Sequence, residues 1–165
     1  MLVECVAGFN KIAKNGLLAM ACNTGHISES QIKDHSDLEF VSLIKEVSSF
    51  VASQKYNSIG LLASSSTIKS ELYHNELKKY GITVTTIDSK QKAVDLIIRR
   101  IISGDLKGCK KELFEIIDLF IRSGEKGVIL GCTELPLVIS THPNIKIISS
   151  LDVLASSLIN KYYYK

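Results

Sequence analysis

The chain has 165 residues, of which 45% are hydrophobic and 22% are charged, and its formal net charge is +3. This length and composition are typical of a globular protein of one domain, or of two small ones, that can bury a hydrophobic core. Because the basic residues are spread along the chain and tryptophan is absent, neither a basic stripe nor a base-stacking surface for nucleic acid is expected.

The predicted elements alternate between helices and strands. In chain order they are a helix over 3–14, a strand over 17–21, a short helix from about 27, an apolar segment at 38–44 that leads into a helix over 45–54, and a strand over 58–63. After a hydroxyl-rich loop at 64–67 come a helix over 68–80, a strand over 82–87, helices over 90–103 and 113–123, strands over 127–130 and 145–148, and a helix over 153–162 that Asp152 caps. Continuous apolar strands between helices predict an α/β fold whose mostly parallel sheet is covered on both faces.

The four cysteines, Cys5, Cys22, Cys109 and Cys132, form no CxxC pair and no Cys/His spacing typical of a metal site. No apolar stretch approaches the ~18 residues of a membrane span, and no basic segment precedes an apolar core at the N-terminus, so no signal peptide is expected. These features favour a cytoplasmic protein with free thiols, no metal and no membrane partner.

Two of the cysteines directly follow predicted strands: Cys22 in "LLAMACNTGH" (17–26) and Cys132 in "GVILGCTELP" (127–136). In a parallel sheet both positions lie at the carboxyl edge, where ligands bind. A thiol beside the N-terminus of a following helix has a lowered pKa and a larger thiolate fraction. Two such thiols on opposite sides of a carbon acid could remove a proton from one face and return it to the other, which is racemisation without a cofactor.

Each candidate residue also has an ordinary structural interpretation. A free cysteine is most often a small buried hydrophobe, which is how Cys5 and Cys109 are interpreted. The hydroxyls at 64–67 and at Thr24 could donate to a carboxylate, yet such a loop also serves as a helix cap. Glu134 could orient an ammonium group, influence Cys132 or simply be solvated. The duplicated strand-end position of the cysteines favours the functional interpretation.

The motifs resemble those of the aspartate/glutamate racemase family. "ACNTGH" (21–26) is similar to the family's CNTAH motif, with Gly25 at the alanine, and "GCTELP" (131–136) is similar to its GCTE motif. Between them, residues 59–82 resemble a strand followed by T-x-x-S-x-x-Y, at Thr67, Ser70 and Tyr73, and "SLD" (150–152) resembles the family's terminal segment. The resemblance runs from about residue 3 to the end of the chain.

This resemblance implies two similar α/β halves with the active site between them, a cofactor-independent reaction on an acidic amino acid, and a homodimer. Cys22 and Cys132 would be the two acid/base residues, and Glu134 would tune the site. The residues that would bind the substrate carboxylate are Asn23, Thr24, Thr67 and Thr133. A small Gly25 would widen the pocket.

The resemblance also implies that the first half is truncated, because relatives have a strand–helix–strand region before the first motif. Residues 1–50 would form the remnant of the first half, with one strand, completed by the C-terminal helix at 150–165, and residues 51–149 would form the second half. The open strand edges would be paired in the dimer. The missing region would also supply a positively charged contact to the substrate, for which Arg99, Arg100 or Lys107 would substitute.

Two other functions stay open at this point. The chain could be a catalytically inactive truncated relative that acts as a small-carboxylate binding or interaction module. It could also isomerise or decarboxylate another small carboxylic acid, since related folds with paired cysteines do so.

Overall fold

The computed structural model describes residues 2–164 and has two parallel sheets flanked by helices. The first part of the chain contains α1 (Leu2–Ile12), β1 (Leu17–Ala19), a 3-10 helix (Thr24–Ser28), α2 (Glu29–His35), β2 (Glu39–Val41) and α3 (Leu43–Ser53). The middle contains β3 (Ser58–Ala63), α4 (Ser65–Lys69), α5 (Leu72–Lys78), β4 (Thr83–Thr85), a 3-10 helix (Asp88–Lys90) and α6 (Gln91–Ile102). The last part contains α7 (Cys109–Arg122), β5 (Gly127–Gly131), a 3-10 helix (Leu135–Leu137), β6 (Lys146–Ser149) and α8 (Ser150–Tyr163).

The larger sheet has four strands in the order β4-β3-β5-β6, and all of them are parallel. Its two central strands are buried along almost their whole length, as the continuous apolar runs predict. Side chains alternate between the faces: Ile59 and Leu61 pack on the side of α3, α5 and α8, while Leu62 packs on the side of α6 and α7. The predicted α/β fold with a parallel sheet covered on both faces is therefore confirmed.

Gly60 shows how closely the helices approach this sheet. A Cβ at this position would lie 2.7 Å from Cδ1 of Phe120 on α7 and 2.9 Å from Cγ2 of Val128 on β5. Because Phe120 is fully buried, only a residue without a side chain lets the ring pack against β3.

The smaller sheet pairs β1 with β2 in parallel, with Leu17 opposite Glu39 and Ala19 opposite Val41. The expectation of a single strand in the first half was wrong, because the segment at 38–44 forms β2 and then starts α3 at Leu43, two residues earlier than predicted. Ser42 caps α3, since its hydroxyl accepts from the Lys45 N–H at 3.4 Å. The predicted fold of two parallel-sheet parts is confirmed.

Other helix boundaries also differ from the sequence prediction. The helix expected over 68–80 is two helices, because Glu71 has φ 54° and Ser70 donates its hydroxyl to the Thr67 carbonyl. The helix expected over 113–123 begins at Cys109. The last helix is capped by Ser149, whose hydroxyl accepts from the Asp152 N–H, and Asp152 lies in the first turn. The prediction that Asp152 caps this helix was therefore wrong.

The C-terminal helix packs beside α3. Lys161 on α8 forms an ion pair with Glu46 on α3 at 3.3 Å, and the same carboxylate accepts from Ser157. This contact is the one expected if α8 returns to the first part of the chain, although the division into 1–50 with 150–165 and 51–149 stays a prediction.

Candidate active site

Three loops meet at the carboxyl edge of the four-stranded sheet. Ala63, the last residue of β3, pairs with Gly131, the last residue of β5, so the hydroxyl loop (64–67, the cap and first turn of α4) lies beside the Cys132 loop (132–134). β6 ends on the other side of β5, at Ser149, and α8 starts there. The predicted residues Thr67, Cys132, Thr133 and Glu134 thus come from adjacent loops, as the parallel order requires.

The Cys22 loop (20–26), which follows β1, lies across this edge. Asn23 donates its Nδ2–H to Oγ of Ser150 at 3.2 Å, beyond the end of β6. The Thr24 hydroxyl is hydrogen-bonded to that of Thr67 at 2.8 Å and to that of Ser64 at 3.3 Å, beyond the end of β3. Since β5 lies between β6 and β3, these bonds bring the Cys22 loop over the strand that carries the second cysteine.

Cys132 is protonated in this arrangement. It is half-buried and donates its thiol to Oε2 of Glu134 at 2.8 Å. Burial raises the pKa of Cys132 from 9.0 to about 12, and the bond to Glu134, the charge of Glu134 and the charge of Cys22 act in the same direction.

Glu134 holds the complementary negative charge. Burial raises its pKa, but hydrogen bonds from Cys132 and Thr133 outweigh this effect and the pKa is lowered overall. The carboxylate is therefore ionised at neutral pH and accepts from the thiol. The sequence-based expectation that Glu134 could influence Cys132 agrees with this contact.

Cys22 has a different environment. Its side chain is exposed, and the Gly25 backbone N–H donates to its Sγ at 3.4 Å. The sulfur is thereby held at the start of the 3-10 helix, open to solvent. The two cysteines differ in position, burial and hydrogen-bond partners: Cys132 directly follows β5, whereas β1 ends at Ala19, two residues earlier than predicted, and Cys22 lies three residues beyond it.

His26 is a buried link between the Cys22 loop and α3, a role that the sequence did not indicate. Its side chain is 2% exposed, its Nδ1 lies 2.7 Å from the Cys22 carbonyl oxygen, and its Nε2 accepts from the Leu43 N–H at 3.0 Å. Because Nε2 accepts, the proton is on Nδ1 and the ring is neutral. Burial lowers the pKa of His26 in agreement.

The hydroxyl loop is held from the opposite side by α6. Asp95 accepts from the Ser65 N–H at 2.9 Å and from the Ser65 hydroxyl, while Gln91 donates to the Ala63 carbonyl at 2.9 Å. Ser64 caps α4 by accepting from the Thr67 N–H at 3.3 Å. Thr67 is 1% exposed and its hydroxyl is bonded to those of Thr24 and Ser64, so this side chain holds the hydroxyl loop in one geometry.

The structure bears on two expectations about the pocket. The space beside Gly25 is occupied, since a Cβ there would lie 2.7 Å from Sδ of Met20 and 2.8 Å from its Cε, so the glycine does not widen the pocket. Arg100 is bound elsewhere: it forms ion pairs with Asp105 at 3.0 Å and Glu112 at 2.7 Å. It is therefore not free to contact a substrate, and a positive contact by Arg99 or Lys107 stays a prediction.

A groove of about 460 Å³ lies between α3, β6 and α8 and is a weaker candidate. None of the predicted site residues lines it, and it contains no cysteine or histidine. Its Glu46 carboxylate is already paired with Ser157 and Lys161. Within residues 2–164, no group of three or more His, Cys, Asp and Glu side chains could hold a metal ion, and no helix is long and apolar enough to cross a membrane.

These observations define an α/β protein with two thiols, an ionised carboxylate and a hydroxyl loop at one strand edge. The family model for Asp/Glu/Hydantoin racemase matches residues 4–158, and the chain belongs to that family.

Similar proteins of known sequence and known structure support this family assignment. The chain is 31% identical over 111 residues to a protein encoded in the pnlA 3′ region of Pectobacterium carotovorum subsp. carotovorum, covering 67% of this chain and 74% of the relative. It is 26% identical over 166 residues to a glutamate racemase of Sulfurihydrogenibium sp., covering 96% of this chain and 63% of the relative. The solved structure of the aspartate racemase of Picrophilus torridus superimposes with a TM-score of 0.86 at 26% identity, covering 97% of this chain and 67% of that one.

Proposed function

We propose that the protein interconverts the L- and D-forms of a small acidic amino acid by cofactor-independent proton transfer between Cys22 and Cys132. The observation that carries this proposal is the position of the Cys22 loop, which is bonded beyond the ends of β3 and β6 and so lies over Cys132 at the end of β5. Membership of the racemase family supports it. The chain spans 63% of the length of the glutamate racemase above, so the activity of this chain itself is part of the proposal.

The different environments of Cys22 and Cys132 indicate which cysteine acts as the acid and which as the base in the first turnover. Cys132 starts as the thiol, because it donates to the ionised Glu134. The base in this direction must then be Cys22, which reacts as its thiolate and takes the α-proton from one face of the substrate. The electron pair left on the α-carbon is delocalised into the carboxylate, and Cys132 then gives its proton to the opposite face. Cys22 ends as the thiol and Cys132 as the thiolate, and exchange with solvent or the reverse reaction restores the start.

Carboxylate binding would use the hydroxyls and N–H groups around the edge. Thr24 and Thr67 already share a hydrogen bond, and Thr133 lies beside Cys132. We assign Asn23 to this set through its backbone, since its side-chain amide is 2% exposed and is bonded inside the protein. Such donors stabilise the negative charge that grows on the carboxylate during proton removal.

The test is turnover of L-aspartate and L-glutamate, each followed by chiral chromatography. In D₂O the product should carry an α-deuteron while unreacted substrate keeps its α-proton, because the second thiol exchanges with solvent before it protonates the carbanion. Cys22→Ser and Cys132→Ser should each lose at least ~10²-fold in kcat, the contribution of one acid/base group. Cys5→Ser, an exposed cysteine on α1, is the matched control and should keep full activity.

No racemisation of either amino acid by the wild type would contradict the proposal. If acidic amino acids then raise the melting temperature, the alternative of a small-carboxylate binding module replaces it.

A homodimer in the cytoplasm belongs to the same proposal. Within residues 2–164 the smaller sheet contains only β1 and β2, and such short sheets are usually covered at their edges. Light scattering coupled to size-exclusion chromatography distinguishes a dimer from the 18.2 kDa monomer.

A further inference from the structure

A buried chain of hydrogen bonds connects Tyr73, Asn23 and Ser150. The Tyr73 hydroxyl donates to Oδ1 of Asn23 at 2.6 Å, and Nδ2 of Asn23 donates to Oγ of Ser150 at 3.2 Å. The exposed fractions of the three side chains are 0%, 2% and 0%. Hydrogen bonds of this kind, excluded from water, hold their partners in one geometry.

These hydrogen bonds join three segments that are distant in sequence. Tyr73 lies on α5 and packs in the same core as Leu61 and Leu77, so its hydroxyl is fixed by the second part of the protein. Ser150 is the first residue of α8. Asn23 is the immediate neighbour of Cys22. Burial strongly raises the pKa of Tyr73, so the hydroxyl keeps its proton and remains a donor.

The residues around Asn23 explain why this anchor matters. Ala21 and Cys22 are exposed, so packing does not hold the sulfur. The Asn23 carbonyl also accepts from the His26 N–H at 3.1 Å, which starts the 3-10 helix whose Gly25 N–H contacts Cys22 Sγ. Fixing Asn23 therefore fixes the backbone on both sides of the sulfur.

We propose that Tyr73 and Ser150 are positioning residues that act through the Asn23 side chain to hold Cys22 in place for proton transfer. This inference rests on the proposed racemase function. Neither residue touches the reacting atoms. Proton transfer between a thiol and a carbon acid depends steeply on their distance and angle, and a displacement of ~1 Å can cost up to ~10²-fold in rate.

Tyr73→Phe and Ser150→Ala break the chain at its two ends and leave the cysteines intact. Each should lower kcat by about tenfold and change KM by a smaller factor, because Thr67 and Thr133 lie outside the Cys22 loop, whereas the position of the Cys22 sulfur depends directly on the broken bonds. Tyr80→Phe is the matched control: it removes a hydroxyl that is 48% exposed just beyond the end of α5, and it should behave as the wild type.

Amide hydrogen exchange gives a readout that does not require activity. In both variants the peptide covering residues 20–28 should exchange at least about threefold faster, while peptides from β3 and β5 exchange as in the wild type. Unchanged exchange in that peptide, or an unchanged kcat in an active enzyme, would overturn the inference. A lower melting temperature with faster exchange throughout the protein would also overturn it, because the chain would then be a general stabilising contact.

Failure of the two proposals is distinguishable. If the wild type racemises neither amino acid, the proposed function fails, and the exchange of residues 20–28 in the two variants still decides whether the chain holds the Cys22 loop.

Discussion

Glu134→Gln tests the assignment of Cys132 as the resting acid. Glutamine has the same size and keeps an oxygen that can accept from the thiol, but it lacks the negative charge. In the wild type burial, the hydrogen bond to Glu134 and that charge together raise the pKa of Cys132 to about 12. Removing it stabilises the thiolate relative to the thiol, so the pKa of Cys132 must fall.

The size of the fall follows from the contact. A hydrogen bond to a charged group contributes about 1.5–3 kcal/mol, and one pKa unit corresponds to about 1.4 kcal/mol. The 2.8 Å bond between Cys132 and Glu134 therefore accounts for a change of about one to two pKa units. Burial remains in the variant, so the pKa should stay above the ordinary value for a thiol.

Alkylation by iodoacetamide, followed by peptide mapping at several pH values, measures each cysteine separately. The profile of Cys132 should move to lower pH by about one to two units, and the alkaline limb of kcat should move in the same direction, because the acid must be protonated. Glu115→Gln, an exposed acid on α7, is the control. Superimposable Cys132 profiles in Glu134→Gln and wild type would refute the assignment.

Three further predictions concern stability. Burial lowers the pKa of His26 below 6.5 in the folded protein, so neutral His26 stabilises the fold fully above pH 6.5, and this contribution is lost as the pH falls from 6.5 towards the folded-state pKa. His26→Gln should therefore make the decline of Tm at acidic pH less steep. Gly25→Ala should cost about 1 kcal/mol, or about 2–4 °C in Tm, and adding Met20→Ala should cost less than the sum of the two single changes, since the clash is removed. Gly60→Ala should cost about 1–3 kcal/mol, because its Cβ would meet the Phe120 ring.

Thermal melts of matched variants check these values. His35→Gln alters an exposed histidine and should leave the acid decline unchanged; an equal decline in His26→Gln would contradict the role of His26. Gly8→Ala adds a Cβ with no heavy atom within 4 Å and should cost nothing. If Gly60→Ala melts at the same temperature as Gly8→Ala, the close approach of Phe120 does not exclude a side chain at position 60.

The strands of the larger sheet were predictable because local sequence determines them. β3 and β5 are continuous apolar runs bounded by polar residues, which is the pattern of strands buried on both faces. The alternation of strands and helices also placed Cys132 after β5 and Cys22 after β1, at the carboxyl ends of these strands. β2 was not predictable, since its three residues, Glu39–Val41, are too few to show a period and are only partly buried.

The contacts within the site were less predictable than its residues. Asn23 is separated from Tyr73 by 50 residues and from Ser150 by 127, and such pairings are set by the tertiary fold alone. His26 illustrates the same limit, because its imidazole is fixed by a backbone N–H at the start of α3. Motif resemblance identified the thiols, whereas burial and hydrogen bonding determine how they differ.

That difference constrains the kinetics of the proposed reaction. L- and D-enantiomers have equal free energies, so kcat/KM must be the same in both directions whatever the two thiols do. Cys132 is the thiol beside an ionised carboxylate, and the form with Cys132 as thiolate places two negative charges together, which is unfavourable. The form with Cys132 as the thiol is therefore the more populated one, and it is the form to which one of the two enantiomers binds for reaction. Any asymmetry between the two directions must then appear in kcat and KM by the same factor, and it should shrink when the charge of Glu134 is removed.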